Sequence, residues 1–97
     1  MIACYIIHSK QIDKYYIGVT QEDIDSRILK HNTEAYGKKY TSQANDWVLF
    51  HYIVCETYSQ AINIERHIKR MKSKKYIEDL KKYPEMSAKM LVKYRNT

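Results

Sequence analysis

Ninety-seven residues, 44% hydrophobic and 12% aromatic, describe one folded domain with a modest core, not a disordered chain. The net charge of +6 is unevenly placed. Residues 1–64 carry six Lys/Arg against seven Asp/Glu, while residues 65–97 carry eleven against four, which points to a polyanion such as nucleic acid as partner. No apolar run approaches the roughly 18 residues of a membrane span. The start MIACYIIHSK lacks the marks of an export signal, so a cytoplasmic, reducing location is expected. Cys4 and Cys55 then read as buried free thiols, a bridge being the less expected alternative.

Ile2 to His8 and Tyr15 to Val19 are β-branched and aromatic runs, joined by a turn through Gln11 to Lys14 into an antiparallel hairpin. A helix is expected from an N-cap at Thr20 to about His31, with Asp23 completing an approximate capping box. Glu34 to Asp46 is polar and reads as a connecting loop with at most a short turn. Trp47 to Val54 is a third strand; bulky groups on both faces predict that it is central or covered on both sides. Ser59 to Met71 has helical spacing through Ala61, Ile64, Ile68 and Met71. Ser73 to Lys82 is a further helix ended by Pro84, and Ser87 to Tyr94 a last short one. The expected class is α/β: a small three-stranded, mainly antiparallel sheet flanked by helices, in the order β-β-α-β-α-α. Residues 1–83 are assigned to the main domain and 84–97 to a helical tail of unassigned role.

Individual residues admit both functional and structural readings. Tyr5 and Tyr16 lie in the hairpin strands, and Gly18 shares the face of Tyr16, leaving open space beside it; this is a ligand floor or plain cross-strand packing. Arg27 and His31, four apart, share a helix face bordering the core. Their mutual repulsion suits a phosphate between them, or a solvated edge. Glu65 has apolar neighbours on both sides of the helical wheel. A carboxylate there needs a cation partner, Arg66, Lys69 or one across the sheet, or else a Mg²⁺ whose shell waters and substrate phosphate complete. Tyr40, in the loop KKYTS with Lys39, either reaches substrate or pins the loop. His8, His51 and His67 form no zinc pattern with the cysteines, and no Ser-His-Asp triad or glycine-rich phosphate loop is present.

These residues stand in a known order. Ala3-Cys4-Tyr5, Tyr16-Ile17-Gly18, Arg27, His31 and Glu65, with RILKHN, KYTS and AINIERHIKRMKSKK, resemble the compact standalone branch of the GIY-YIG nucleases over residues 2–80. The first motif departs from the family by lacking its glycine and isoleucine. The resemblance implies a metal-dependent endonuclease using Mg²⁺, with Mn²⁺ as substitute, on nucleic acid, DNA ahead of RNA. It implies catalysis by Tyr5, Tyr16, Arg27, His31 and Glu65, with a tyrosine as base and Glu65 as metal ligand. Tyr40, Lys39, Arg66, Lys69, Arg70, Lys72 and Lys74 would hold the nucleic acid, and a protein partner would help choose the substrate. The alternative is a catalytically weak binding module of the same fold.

Overall fold

The computed structural model describes residues 1–33 and 40–95, with the side chains of Tyr40 and Ser42 outside the description. Three strands form one antiparallel sheet in the order β2-β1-β3: β1 (Ala3–Ser9), β2 (Lys14–Thr20) and β3 (Val48–Val54). The helices are α1 (Ile24–Asn32), α2 (Tyr58–Met71), α3 (Lys74–Lys82) and α4 (Pro84–Lys93), and a 3₁₀ turn spans Tyr40–Gln43. The expected α/β class and element order hold, with α4 docked against α2 and α3.

Strand alternation divides the core in two. Cys4 and Ile6 point to one face, where Ile17, Ile53, Ala61, Ile64, Ile68, Ile77, Leu80 and Met90 pack together. Tyr5 and Ile7 point to the other, against Ala44 and Trp47, with Ile12, Tyr16 and Ile28 partly covered beside them. The period of two sends adjacent residues of one strand into different clusters.

Local chemistry fixes the helix ends. Thr57 caps α2 by accepting from the Gln60 backbone N–H at 3.0 Å. The fully buried Gln60 accepts from the Glu56 N–H at 2.7 Å and donates to the Leu91 carbonyl at 2.8 Å, satisfying both ends of its amide while tying α4 to α2. Lys72 closes α2 in the left-handed conformation, and Ser73 caps α3 through the Tyr76 N–H at 3.1 Å. Pro84 both stops α3 and opens α4, where its missing N–H costs nothing.

Two expectations are corrected. The cap of α1 is Asp23, not Thr20: its carboxylate accepts from the Ser26 N–H at 3.1 Å, while Thr20 ends β2 and its hydroxyl accepts from the Glu22 N–H at 3.0 Å. Both residues are good caps, and pairing with Ala3 keeps Thr20 in the sheet. Strand β3 lies at an edge and is largely exposed, Val48 at 60% and Val54 at 53%. Central position belongs to β1, whose first five residues are all buried. A bulge opposite Ile6 and Ile7 leaves Phe50 unmatched between Leu49 and His51, so alternation along β3 does not report two covered faces.

Candidate active site

The hairpin register places Tyr5 opposite Gly18 and Ile7 opposite Tyr16. Tyr5, Tyr16 and Gly18 therefore share the face of the smaller cluster, and the two tyrosine rings lie 6.5 Å apart, tilted by 47°. The space above Gly18 is not open, as the sequence suggested. A Cβ there would sit 2.6 Å from Tyr5 Oη and 2.7 Å from its Cζ, so the bare backbone is where the Tyr5 phenol lies.

Helix α1 brings Arg27 and His31 to that phenol. Tyr5 Oη is 2.8 Å from His31 Nε2, and Arg27 Nε donates to Tyr5 Oη at 3.4 Å. The His31 ring also lies 5.1 Å from the Tyr16 ring, centroid to centroid. On its far side His31 Nδ1 is 2.7 Å from Thr41 Oγ1. One assignment satisfies every group: the Tyr5 hydroxyl accepts from Arg27 and donates to Nε2, and the Nδ1 proton is donated to Thr41. Burial, reinforced by the positive charge of Arg27, depresses His31 to about 4, so the imidazole is neutral at pH 7.

A second layer holds this cluster. The Asn32 side chain donates to the Trp47 carbonyl at 2.9 Å and accepts from the Trp47 N–H at 2.7 Å, copying a strand partner at the end of α1. Trp47 Nε1 donates to the Thr41 carbonyl at 2.8 Å. Asn32, Thr41 and Trp47 were not singled out from sequence. The Thr41 contact joins residues ten apart across a sequence with no periodicity, and only the stretch KYTS marked its neighbourhood.

Glu65 belongs to α2, which packs on β1 and β2. Its half-buried carboxylate is paired with Lys69 at 3.4 Å, one of the partners the sequence offered, and it helps to raise the buried Cys4 thiol, already pushed up by desolvation and by Cys55. Cys4 and Cys55 are both free and buried. Among the described residues no three His, Cys, Asp or Glu side chains gather to enclose a metal. A single half-buried carboxylate such as that of Glu65 has the chemistry to carry a hard cation whose remaining ligands are waters and substrate oxygens, and no all-protein cage forms among the described residues.

Of the basic residues expected to meet nucleic acid, Arg66, Lys69, Arg70, Lys72 and Lys74 are all exposed along α2 and the start of α3. Lys74 also pairs with Asp13 of the hairpin turn at 3.2 Å. Hydrogen bonding from His8, then from Lys74, holds the Asp13 carboxyl below its usual range. Lys39 and the Tyr40 side chain lie outside the described residues.

A neutral imidazole, a guanidinium and two phenols on one sheet face can bind an oxyanion and move a proton beside it, the needs of a phosphodiester-cleaving enzyme. The family comparison agrees with that class. The family model described as the GIY-YIG catalytic domain matches residues 1–77, and the chain belongs to the GIY-YIG family. Its members are endonucleases, generally dependent on a divalent metal, so the chain is of nuclease type with nucleic acid as substrate. Searches of curated proteins and of solved structures gave no match. No helix among the described residues is long and apolar enough to cross a membrane.

Proposed function

We propose that the protein is a Mg²⁺-dependent endonuclease, acting on DNA in preference to RNA, whose chemistry is carried by Tyr5, Tyr16, Arg27, His31 and Glu65. The observation that carries this reading is the convergence of Tyr5, Arg27 and His31 through hydrogen bonds of 2.8 and 3.4 Å.

Arg27 binds the non-bridging oxygens of the scissile phosphate, where guanidinium geometry and charge suit the anion that builds up during attack. Tyr16, only half-buried and so in reach of solvent, meets the attacking water and accepts its proton as the phenolate, having first given up its own hydroxyl proton to solvent. Tyr5, fully buried and committed to His31, is the less accessible of the two; it positions Arg27 and His31. Neutral His31 accepts from Tyr5 without adding a second positive charge beside Arg27. Glu65 is the residue that would hold Mg²⁺, in place of its Lys69 partner. When bound, the cation supplies Lewis-acid stabilisation of the leaving oxygen. Arg66, Lys69, Arg70, Lys72 and Lys74, with Lys39 and Tyr40, contact the phosphate backbone without reading sequence, which leaves substrate choice to a partner protein or to the shape of the nucleic acid.

Purified protein incubated with Mg²⁺ or Mn²⁺ and a panel of duplex, single-stranded, flapped and branched DNA and RNA tests the reading. Cleavage is expected to stop on chelation and to be lost in Glu65→Ala. Undiminished cleavage in Glu65→Ala contradicts the assignment, and metal-independent binding without cleavage supports the alternative of a binding module.

A further inference from the structure

Beside the tyrosine cluster a cleft of about 350 Å³ opens between the end of β2, the start of α1 and the first turn of α2. Val19, Thr20, Gln21, Glu22, Arg27 and Tyr58 line it. Its volume falls in the range of small-molecule sites, about 300–1,000 Å³. Arg27 belongs to both the cleft and the cluster, so a phosphate held by its guanidinium would have its neighbouring nucleoside at the cleft mouth.

The walls are fixed before any ligand arrives. Thr20 Oγ1 accepts from the Glu22 N–H at 3.0 Å and donates to the Glu22 carbonyl at 3.3 Å, locking the corner between β2 and α1. The Glu22 carboxylate is paired with Lys30 at 3.0 Å, which offsets its repulsion of an anionic ligand. Tyr58 is the first residue of α2, directly after the Thr57 cap, and its backbone is therefore set by the helix start. Its side chain is 47% exposed and belongs to neither core cluster. A large aromatic ring held out of the core, across a polar cleft from a phosphate-binding arginine, has a π face to offer and little packing of its own to lose. Gln21, exposed on the rim, carries an amide that can both donate to and accept from a base edge.

We infer that this cleft is a nucleobase subsite in which Tyr58 stacks on the base next to the phosphate held by Arg27. The inference rests on the proposed nuclease reading and deepens it. A base inside a duplex is already stacked on both faces, so occupancy of the cleft requires a nucleotide that is unpaired beside the scissile bond. Aromatic stacking of this kind contributes about 1–3 kcal/mol per base and tolerates any base, because every base has a π face. The site therefore selects for local strand opening and not for sequence.

The test uses the full chain in chelator, so that binding is read without cleavage. Oligonucleotides carry 2-aminopurine either in a single-stranded flap or at the same position in a fully paired duplex, and fluorescence reports both affinity and stacking. Tyr58→Ala is expected to weaken flap binding by about tenfold and to abolish the stacking quench, with duplex affinity unchanged. Tyr58→Phe keeps the ring and is expected to restore both. The inference is overturned if Tyr58→Ala binds the flap as wild type does, if it loses flap and duplex equally, or if Tyr58→Phe is as weak as Tyr58→Ala. Absence of any affinity for the flap overturns it as well. Failure of wild-type protein to cleave in Mg²⁺ would remove the nuclease reading alone, because the binding comparison still decides the subsite.

Discussion

The two faces of the central strand β1 put adjacent residues to opposite uses. Cys4 and Ile6 enter a cluster of eleven buried residues drawn from β1, β2, β3, the segment after β3 and three helices, with Gln60 satisfied at its margin. Tyr5 and Ile7 enter a cluster of four, and there the hydroxyl of Tyr5 meets an imidazole and a guanidinium. The large face gains its stability from apolar burial. The small face gathers polar groups whose partners come from α1 and from the loop before β3, an arrangement suited to a ligand and poor as a core. The lesson is that a three-stranded sheet can carry a site if one face alone supplies most of the hydrophobic stabilisation.

That contrast can be broken most severely from the large face. Leu80 is fully buried, and Leu80→Ala is expected to destabilise the protein by about 2–5 kcal/mol, read as a lowered denaturant midpoint. A loss below about 1 kcal/mol would mean that the large cluster is not the main source of stability.

Acid probes the small face. His31 has a folded pKa near 4 against an ordinary value of 6.5, so the unfolded chain takes up the proton first. Its contribution is complete above pH 6.5 and is lost as pH falls toward 4, on the order of 3 kcal/mol in all. His51 and His67, also lowered, first by burial, act in the same direction. Arg27→Ala removes the secondary cause of the His31 shift and should soften this acid loss; unfolding monitored between pH 7 and pH 4 checks both. An unfolding free energy unchanged over that interval would contradict the buried neutral imidazole.

A smaller perturbation is Gly18→Ala. The new methyl meets the Tyr5 phenol at under 3.0 Å, and Tyr5 is fully buried, so overpacking is expected to cost about 1–3 kcal/mol and to displace Tyr5 from His31. Cleavage should fall together with stability. Wild-type stability in Gly18→Ala would show that Tyr5 moves aside at no cost.

Much of this was legible in the sequence because it rests on local periodicity. The hairpin, its tyrosines, the four-residue spacing of Arg27 and His31, and the amphipathic pattern of α2 all follow from periods of 2 and 3.6. Two features were misread where competing local signals were equally good. Thr20 and Asp23 are both capable caps, and only pairing with Ala3 decides between them. Bulky residues on both sides of β3 suggested a central strand, yet its position is set by β1 pairing on both edges and by the bulge at Phe50. Thr41, Asn32 and Trp47 were invisible as a unit because their bonds join residues 6 to 15 positions apart, across a stretch of sequence with no helical or strand periodicity. The pairing of Glu65 with Lys69 was foreseen as one of two readings, and the fold leaves both the ion pair and a cation as uses for the same carboxylate.

The most direct test of the separation between faces is the single-turnover cleavage rate of Arg27→Ala in Mg²⁺, taken with its unfolding free energy at pH 7. The account predicts a rate reduced on the order of 10³ or more, as for arginines that stabilise phosphoryl-transfer transition states, with stability within about 1 kcal/mol of wild type. A variant that cleaves at the wild-type rate, or one that loses cleavage only because it unfolds, would contradict it.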